Sequence, residues 1–170
     1  MSLEDDVRYL IDRQAVVDVL HTYCHLVDAQ DIDAMVEQVF APDGSDDHGE
    51  GPVQGREAIA EWFREAVANI ASNAHNVSNV MVEIDGDTAR MTSRVTSWTW
   101  TMESLDGGPQ RPADYVVSVS YHDELTRYPE GWRIDRRVLV PHGSATGHPT
   151  VLGLGVLPQT QRGIQALSRR

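Results

Sequence analysis

Three apolar stripes at helical spacing, followed by a long stretch of alternating polarity punctuated by hairpin turns, predict an α+β fold. Three N-terminal helices pack against long, curled strands and enclose a pocket between the two layers. The change of period after Asn73 and the turn at Asp85-Gly86 carry most of that expectation.

The first helix is predicted from Glu4 to Asp28. Glu4, Asp5 and Asp6 suit the positive end of its dipole, and Val16, Val19, Leu20, Tyr23, Cys24 and Val27 form its buried stripe. Asp28 is out of place at the other end. It lies on the edge of the apolar face, in the last turn, where both the dipole and desolvation oppose a carboxylate unless a partner compensates it. Asp31 caps a short second helix through Ile32, Met35, Val36 and Val39, which stops before Pro42. Residues 41–55 are rich in Gly, Pro and Asp and read as loop, with at most a short strand near Ser45–His48. The third helix carries Ile59, Trp62, Phe63, Ala66, Val67 and Ile70 on one face.

Four strands follow: His75–Ile84, Thr88–Glu103, Asp114–Arg127 and Trp132–Val140. Pro129-Glu130-Gly131 turns the last pair, and residues 107–112 form a looser connection. Strands of this length twist and curl, so helices on the concave side leave a cavity. Residues 1–140 are read as one domain. Residues 141–170 form a C-terminal tail, read as a lid or a subunit contact.

Composition narrows the function. The chain has 26 acidic residues against 14 Lys and Arg, a net charge of −12, which repels phosphate backbones and argues against a nucleic-acid partner. No apolar run approaches the ~20 residues of a membrane span, and no export signal is recognisable, so a cytoplasmic location is expected. Cys24 is the only cysteine, which excludes an internal disulfide and a cysteine-based metal cluster.

His75 begins the first long strand, directly after the third helix, and on the inward face it shares its side with Val77 and Asn79. The element order brings its ring towards Asp28. A carboxylate on one imidazole nitrogen leaves the other free as a base, and it also stabilises the imidazolium that forms. The same pair could serve only to tie helix to strand. Tyr23 is placed to donate to a developing oxyanion, or to fill the core with its hydroxyl satisfied. Asn79, Trp98, Trp100, Tyr115 and Tyr121 are expected as pocket walls, and the acidic loop Asp46-Asp47-His48 by itself reads as solvated. His21, His25 and Asp28 share a helical face, but a trio on one helix lacks the convergent ligands of most metal sites, and no metal is expected.

The segments YCHLVDAQDIDAM, APDGSDDHGEGPVQGREAI, HNVSNVMVEIDGDTARM and YHDELTRYPEGWRIDRR together resemble the SnoaL-like branch of the nuclear transport factor 2-like superfamily, over roughly Val7 to Val140. Its members include polyketide cyclases, scytalone dehydratase, lindane dehydrochlorinase and small subunits of ring-hydroxylating dioxygenases. The resemblance implies a cone-shaped α+β barrel whose strongly curved sheet is mixed, with one parallel pairing added to the antiparallel ones. It implies that Asp28 and His75 form the acid–histidine pair of the dehydratase-like members, and that the segment Asp46-Asp47-His48 borders the cavity, with Asp47 and His48 at the substrate. The dehydrochlorinase has a lysine where this chain has Tyr23, which argues against dehydrochlorination.

The function expected is therefore a cofactor-free lyase or isomerase acting on a small, largely apolar ring compound, with no cofactor. The alternative is a non-catalytic ligand-binding module or the structural subunit of an oxygenase. A homo-oligomer, dimer or trimer, is expected from the resemblance and from the apolar residues on the convex face of the sheet.

Overall fold

A computed structural model describes residues 2–102 and 112–146. The elements run α1 (Leu3–Asp28), α2 (Ile32–Val39), β1 (Phe40–Asp47), β2 (Val53–Gln54), α3 (Arg56–Val67), β3 (Ile70–Asp85), β4 (Thr88–Thr101), β5 (Tyr115–Tyr128) and β6 (Gly131–Thr146). The three helices pack on one six-stranded sheet of order β2-β1-β6-β5-β4-β3, whose two outer strands are edges rather than a closed seam. β1 runs parallel to β6 and every other pairing is antiparallel, so the sheet is mixed.

Several boundaries move from the sequence expectation, each for a physical reason. Residues 41–47 are strand rather than loop. The register slips between Phe40 and Ser45, which accommodates Pro42, and a Cβ at Gly44 would lie 2.7 Å from the Ile134 carbonyl oxygen, so only glycine permits β1 to approach β6 this closely. Arg56 at the start of α3 anchors the turn by donating from Nε to the Phe40 carbonyl at 2.9 Å. Ile70 leaves the helical stripe and opens β3 opposite Thr101, a tertiary pairing overriding a helical pattern. β6 passes Val140 and pairs with β5 as far as Thr146, so the sheet reaches into the segment read as tail, while residues 147–170 and 103–111 lie outside the described residues.

Between α1 and α2 the chain turns at Gln30, whose φ of 57° reverses the backbone, and the Gln30 side chain donates to the Ile70 carbonyl at 2.9 Å. The core between the layers contains Val16, Leu20 and Tyr23 from α1, Ile59 and Phe63 from α3, and Met91, Val95, Val119, Leu125 and Ile134 from the sheet.

One charged pair lies in this core. Arg137 on β6 is fully buried and donates from Nε and Nη2 to the two carboxylate oxygens of Asp123 on β5, at 2.7 and 2.9 Å. Its guanidinium stacks over the rings of Tyr23 at 4.1 Å and Tyr121 at 4.4 Å. Removing one partner of such a pair leaves an uncompensated buried charge. Asp123→Ala should cost about 3–5 kcal/mol, read in a thermal melt as a Tm loss on the order of 10 °C.

Candidate active site

Tyr23, His48, His75, Tyr115 and Tyr121 converge on one cavity of about 250 Å³ between the helices and the concave face of the sheet, with Val27, Trp62, Phe63 and Val117 among its apolar walls. Each arrives there by simple geometry. Tyr23 lies on the buried stripe of α1, His48 follows β1, and Tyr115, Val117, Val119 and Tyr121 are alternate residues of β5 that share one face. A wider cleft of about 560 Å³ at the far hairpin end is lined by Glu83, Asp85, Glu124 and Asp135 with Arg90, and no histidine enters it.

Asp28, the last residue of α1, meets His75 twice. Its Oδ1 lies 2.5 Å from His75 Nδ1, and its Oδ2 accepts the His75 backbone N–H at 2.9 Å. Burial alone would raise the Asp28 carboxyl, but the two hydrogen bonds from His75 outweigh that and hold it below the ordinary carboxylate value. It is therefore an ionised acceptor at neutral pH, so Nδ1 donates to it and Nε2 lies on the far side of the ring.

Tyr23 packs edge-on against His75, Phe63, Phe40 and Tyr121. Burial pushes both the Tyr23 and Tyr121 hydroxyls well above the usual phenol value, against the opposing pull of Arg137, and a hydrogen bond from Tyr23 acts on Tyr121. Both stay protonated and remain donors. The Cys24 thiol, pushed up to about 12 by burial, is no nucleophile at neutral pH.

A second histidine–carboxylate pair reaches the same cavity through His48. His48 Nε2 lies 3.1 Å from Asp46 Oδ2, and its ring stacks on Trp62 with centroids 4.5 Å apart. Asp46 is 3% exposed and its other oxygen, Oδ1, has no protein partner.

Four expected wall residues lie elsewhere. Asn79 occupies a bulge in β3 between Ser78 and Met81, with φ 51°, and is exposed; the extra residue reverses the alternation, so Val80, Val82 and Ile84 take the inward face. Trp98 and Trp100 alternate with the cavity-lining Ser97 and Thr99 and so point to the outer face of the sheet. Asp47 accepts the N–H groups of Gly49 and Gly51 at 2.8 and 3.2 Å and shapes the turn instead of the cavity. His21 and His25 are exposed on α1 while Asp28 is held by His75, and no group of three or more metal-ligating side chains converges among the described residues.

The sequence reading passed over Arg137, Asp123 and Trp62 as site residues. The signal for Asp123 was its place between Tyr121 and Leu125 on an inward-facing alternation. Arg137 is turned inward by a bulge at Asp135, where Asp123 opposes Arg137 but Leu125 opposes Ile134.

No described helix is long and apolar enough to cross a membrane. The Asp28 geometry fixes a pH dependence. Its folded value is depressed, so its contribution to stability is complete above the unfolded value of about 3.9 and is lost as pH falls through the lower folded value. Between pH 5 and 2 the Tm of the wild type should fall further than that of Asp28→Asn, measured by thermal melts across the range.

Residues 8–138 match the profile of the SnoaL-like domain. An uncharacterised protein of Mycobacterium tuberculosis is 32% identical over 134 residues, covering 78% of this chain and 86% of that protein. A crystal structure from Novosphingobium aromaticivorans, provisionally described as an aromatic ring hydroxylase, is 30% identical, with a TM-score of 0.65, over 76% of this chain and 88% of its own. The hexachlorocyclohexane dehydrochlorinase LinA-type3 of Novosphingobium barchaimii shares the fold at a TM-score of 0.70 and 16% identity, over 83% of this chain and 93% of its own. With its three helices on a mixed six-stranded sheet and a family match over most of its length, the chain belongs to the SnoaL-like family.

Proposed function

We propose that the protein is a cofactor-free lyase of the dehydratase type, acting on a small, uncharged ring compound with a carbonyl group and a β-hydroxyl. The observation that carries this reading is the His75 ring on the cavity wall, its Nδ1 held by the ionised Asp28. His75 Nε2 removes the proton α to the carbonyl, and Asp28 stabilises the imidazolium formed. The Tyr121 hydroxyl, which accepts the hydrogen bond from Tyr23, donates to the enolate oxygen. His48, positioned by Asp46, gives a proton to the departing hydroxyl as the carbon–oxygen bond breaks, so that water and an enone leave.

Size and charge support the substrate class. At about 250 Å³ the cavity lies just under the ~300–1,000 Å³ of typical small-molecule sites, which favours one or two rings. The carboxylates of Asp28, Asp46 and Asp123 outnumber Arg137, the one buried cation among the described residues, so an anionic substrate is disfavoured.

The likeness to the protein described as a ring hydroxylase favours a second reading, in which the chain is a subunit of an oxygenase whose redox chemistry lies in a partner. The two readings separate on the isolated chain. A panel of cyclic β-hydroxyketones, followed by ultraviolet absorbance of the conjugated product, should show turnover under the first and none under the second.

On any compound turned over, His75→Ala and Asp28→Asn should each lower the single-turnover rate by ~10²–10⁴-fold, with the double variant little worse than either. Tyr121→Phe should lower the rate with a smaller change in KM. If the pair only ties helix to strand, the variants lose Tm and keep their turnover in the folded fraction.

A further inference from the structure

The geometry points to the N-terminal overhang of α1 as a homodimer contact, in which two copies pair their first three turns antiparallel about a two-fold axis. Residues 2–11 are all exposed, Asp12, Arg13 and Ala15 are half-buried, and full burial of the helix against the domain begins at Val16. An isolated helical segment this short is marginal in water, yet this one is apolar along one side. Leu3 is 80% exposed, Val7 46%, Leu10 62% and Ile11 63%. Leu3, Val7, Leu10 and Gln14 recur at alternating steps of four and three, the spacing of a coiled-coil seam, and Ile11 widens it.

Charge selects a second copy, and its direction. Asp6 and Arg13 lie seven residues apart, so they flank the seam on the same side, and neither makes an ion pair among the described residues. In an antiparallel pair, Asp6 of each helix meets Arg13 of the other, giving two attractive contacts by symmetry. A parallel pair would instead set the three acids Glu4, Asp5 and Asp6 of the two N-termini side by side. On the opposite face of the same turns Asp12 is already committed to its own domain, through Arg127. This contact is separate from the sheet's outer face and from the cavity, so it stands or falls independently of the proposed reaction.

Sedimentation equilibrium of the full chain at micromolar concentration should return about twice the 18.9 kDa chain mass. Val7→Asp combined with Leu10→Asp should raise the dimer dissociation constant at least about 100-fold. Because the overhang lies outside the core, Tm extrapolated to low concentration and the near-ultraviolet spectrum should be unchanged. Asp6→Arg and Arg13→Asp should each weaken the dimer, and the two together should restore it. A monomer at every concentration would overturn the proposal. So would an oligomer indifferent to the seam substitutions, which would move the contact to another face, or a double charge reversal no tighter than the singles.

Discussion

A guanidinium with no access to water constrains this molecule more than any other group. Arg137 must keep its charge neutralised, and Asp123 does so from the neighbouring strand with two parallel hydrogen bonds. Because the pair sits between the rings of Tyr23 and Tyr121, it fixes the position of α1 relative to β5 and β6 and forms the floor beneath the cavity. A hydrophobic replacement of the whole group need not be less stable. What the ion pair adds is direction: a stack of planar rings over a planar cation has one arrangement, whereas an aliphatic core has many.

The same cation acts on the two phenols. Burial raises both hydroxyls and the nearby positive charge opposes it, so they remain protonated yet are better donors than they would be over an aliphatic floor. Donors held at fixed positions in a dry site cost no reorganisation when charge develops, which is the condition under which hydrogen bonds stabilise an oxyanion strongly. Arg137 therefore reaches the cavity only through its neighbours, and the oxyanion stabilisation proposed for it would depend on the same pair that orders the core.

Helix identities, the hairpin at Asp85-Gly86 and the Asp28–His75 pairing were legible because each rests on local pattern or on element order. The errors sit at bulges. A single extra residue at Asn79 moved that side chain out of the wall, and another at Asp135 moved Arg137 into the core. Periodicity carries no mark of either, since a bulge is decided by the strand that pairs across from it. β1 was hidden for a related reason: Pro42 and Gly44 read as loop residues, and only the approach of β6 shows why glycine is needed there. Trp98 and Trp100 illustrate a third cause, because a large aromatic on a curved sheet suits either face and composition does not choose between them.

Whether Asp28 is retained for structure or for chemistry turns on which of its two bonds needs a histidine. The bond that ties α1 to β3 is the one from the backbone N–H of residue 75 to Oδ2, and any residue except proline would supply it. That bond relieves much of the penalty of a carboxylate at a helix C-terminus. The second bond, from Nδ1 to Oδ1, does more than the first to lower the Asp28 carboxyl, and it orients the ring so that Nδ1 is the donor. An imidazole oriented by an ionised carboxylate is the arrangement that the proposed proton transfer uses, whereas in a structural clamp the same bond would show as lost Tm when either partner is removed.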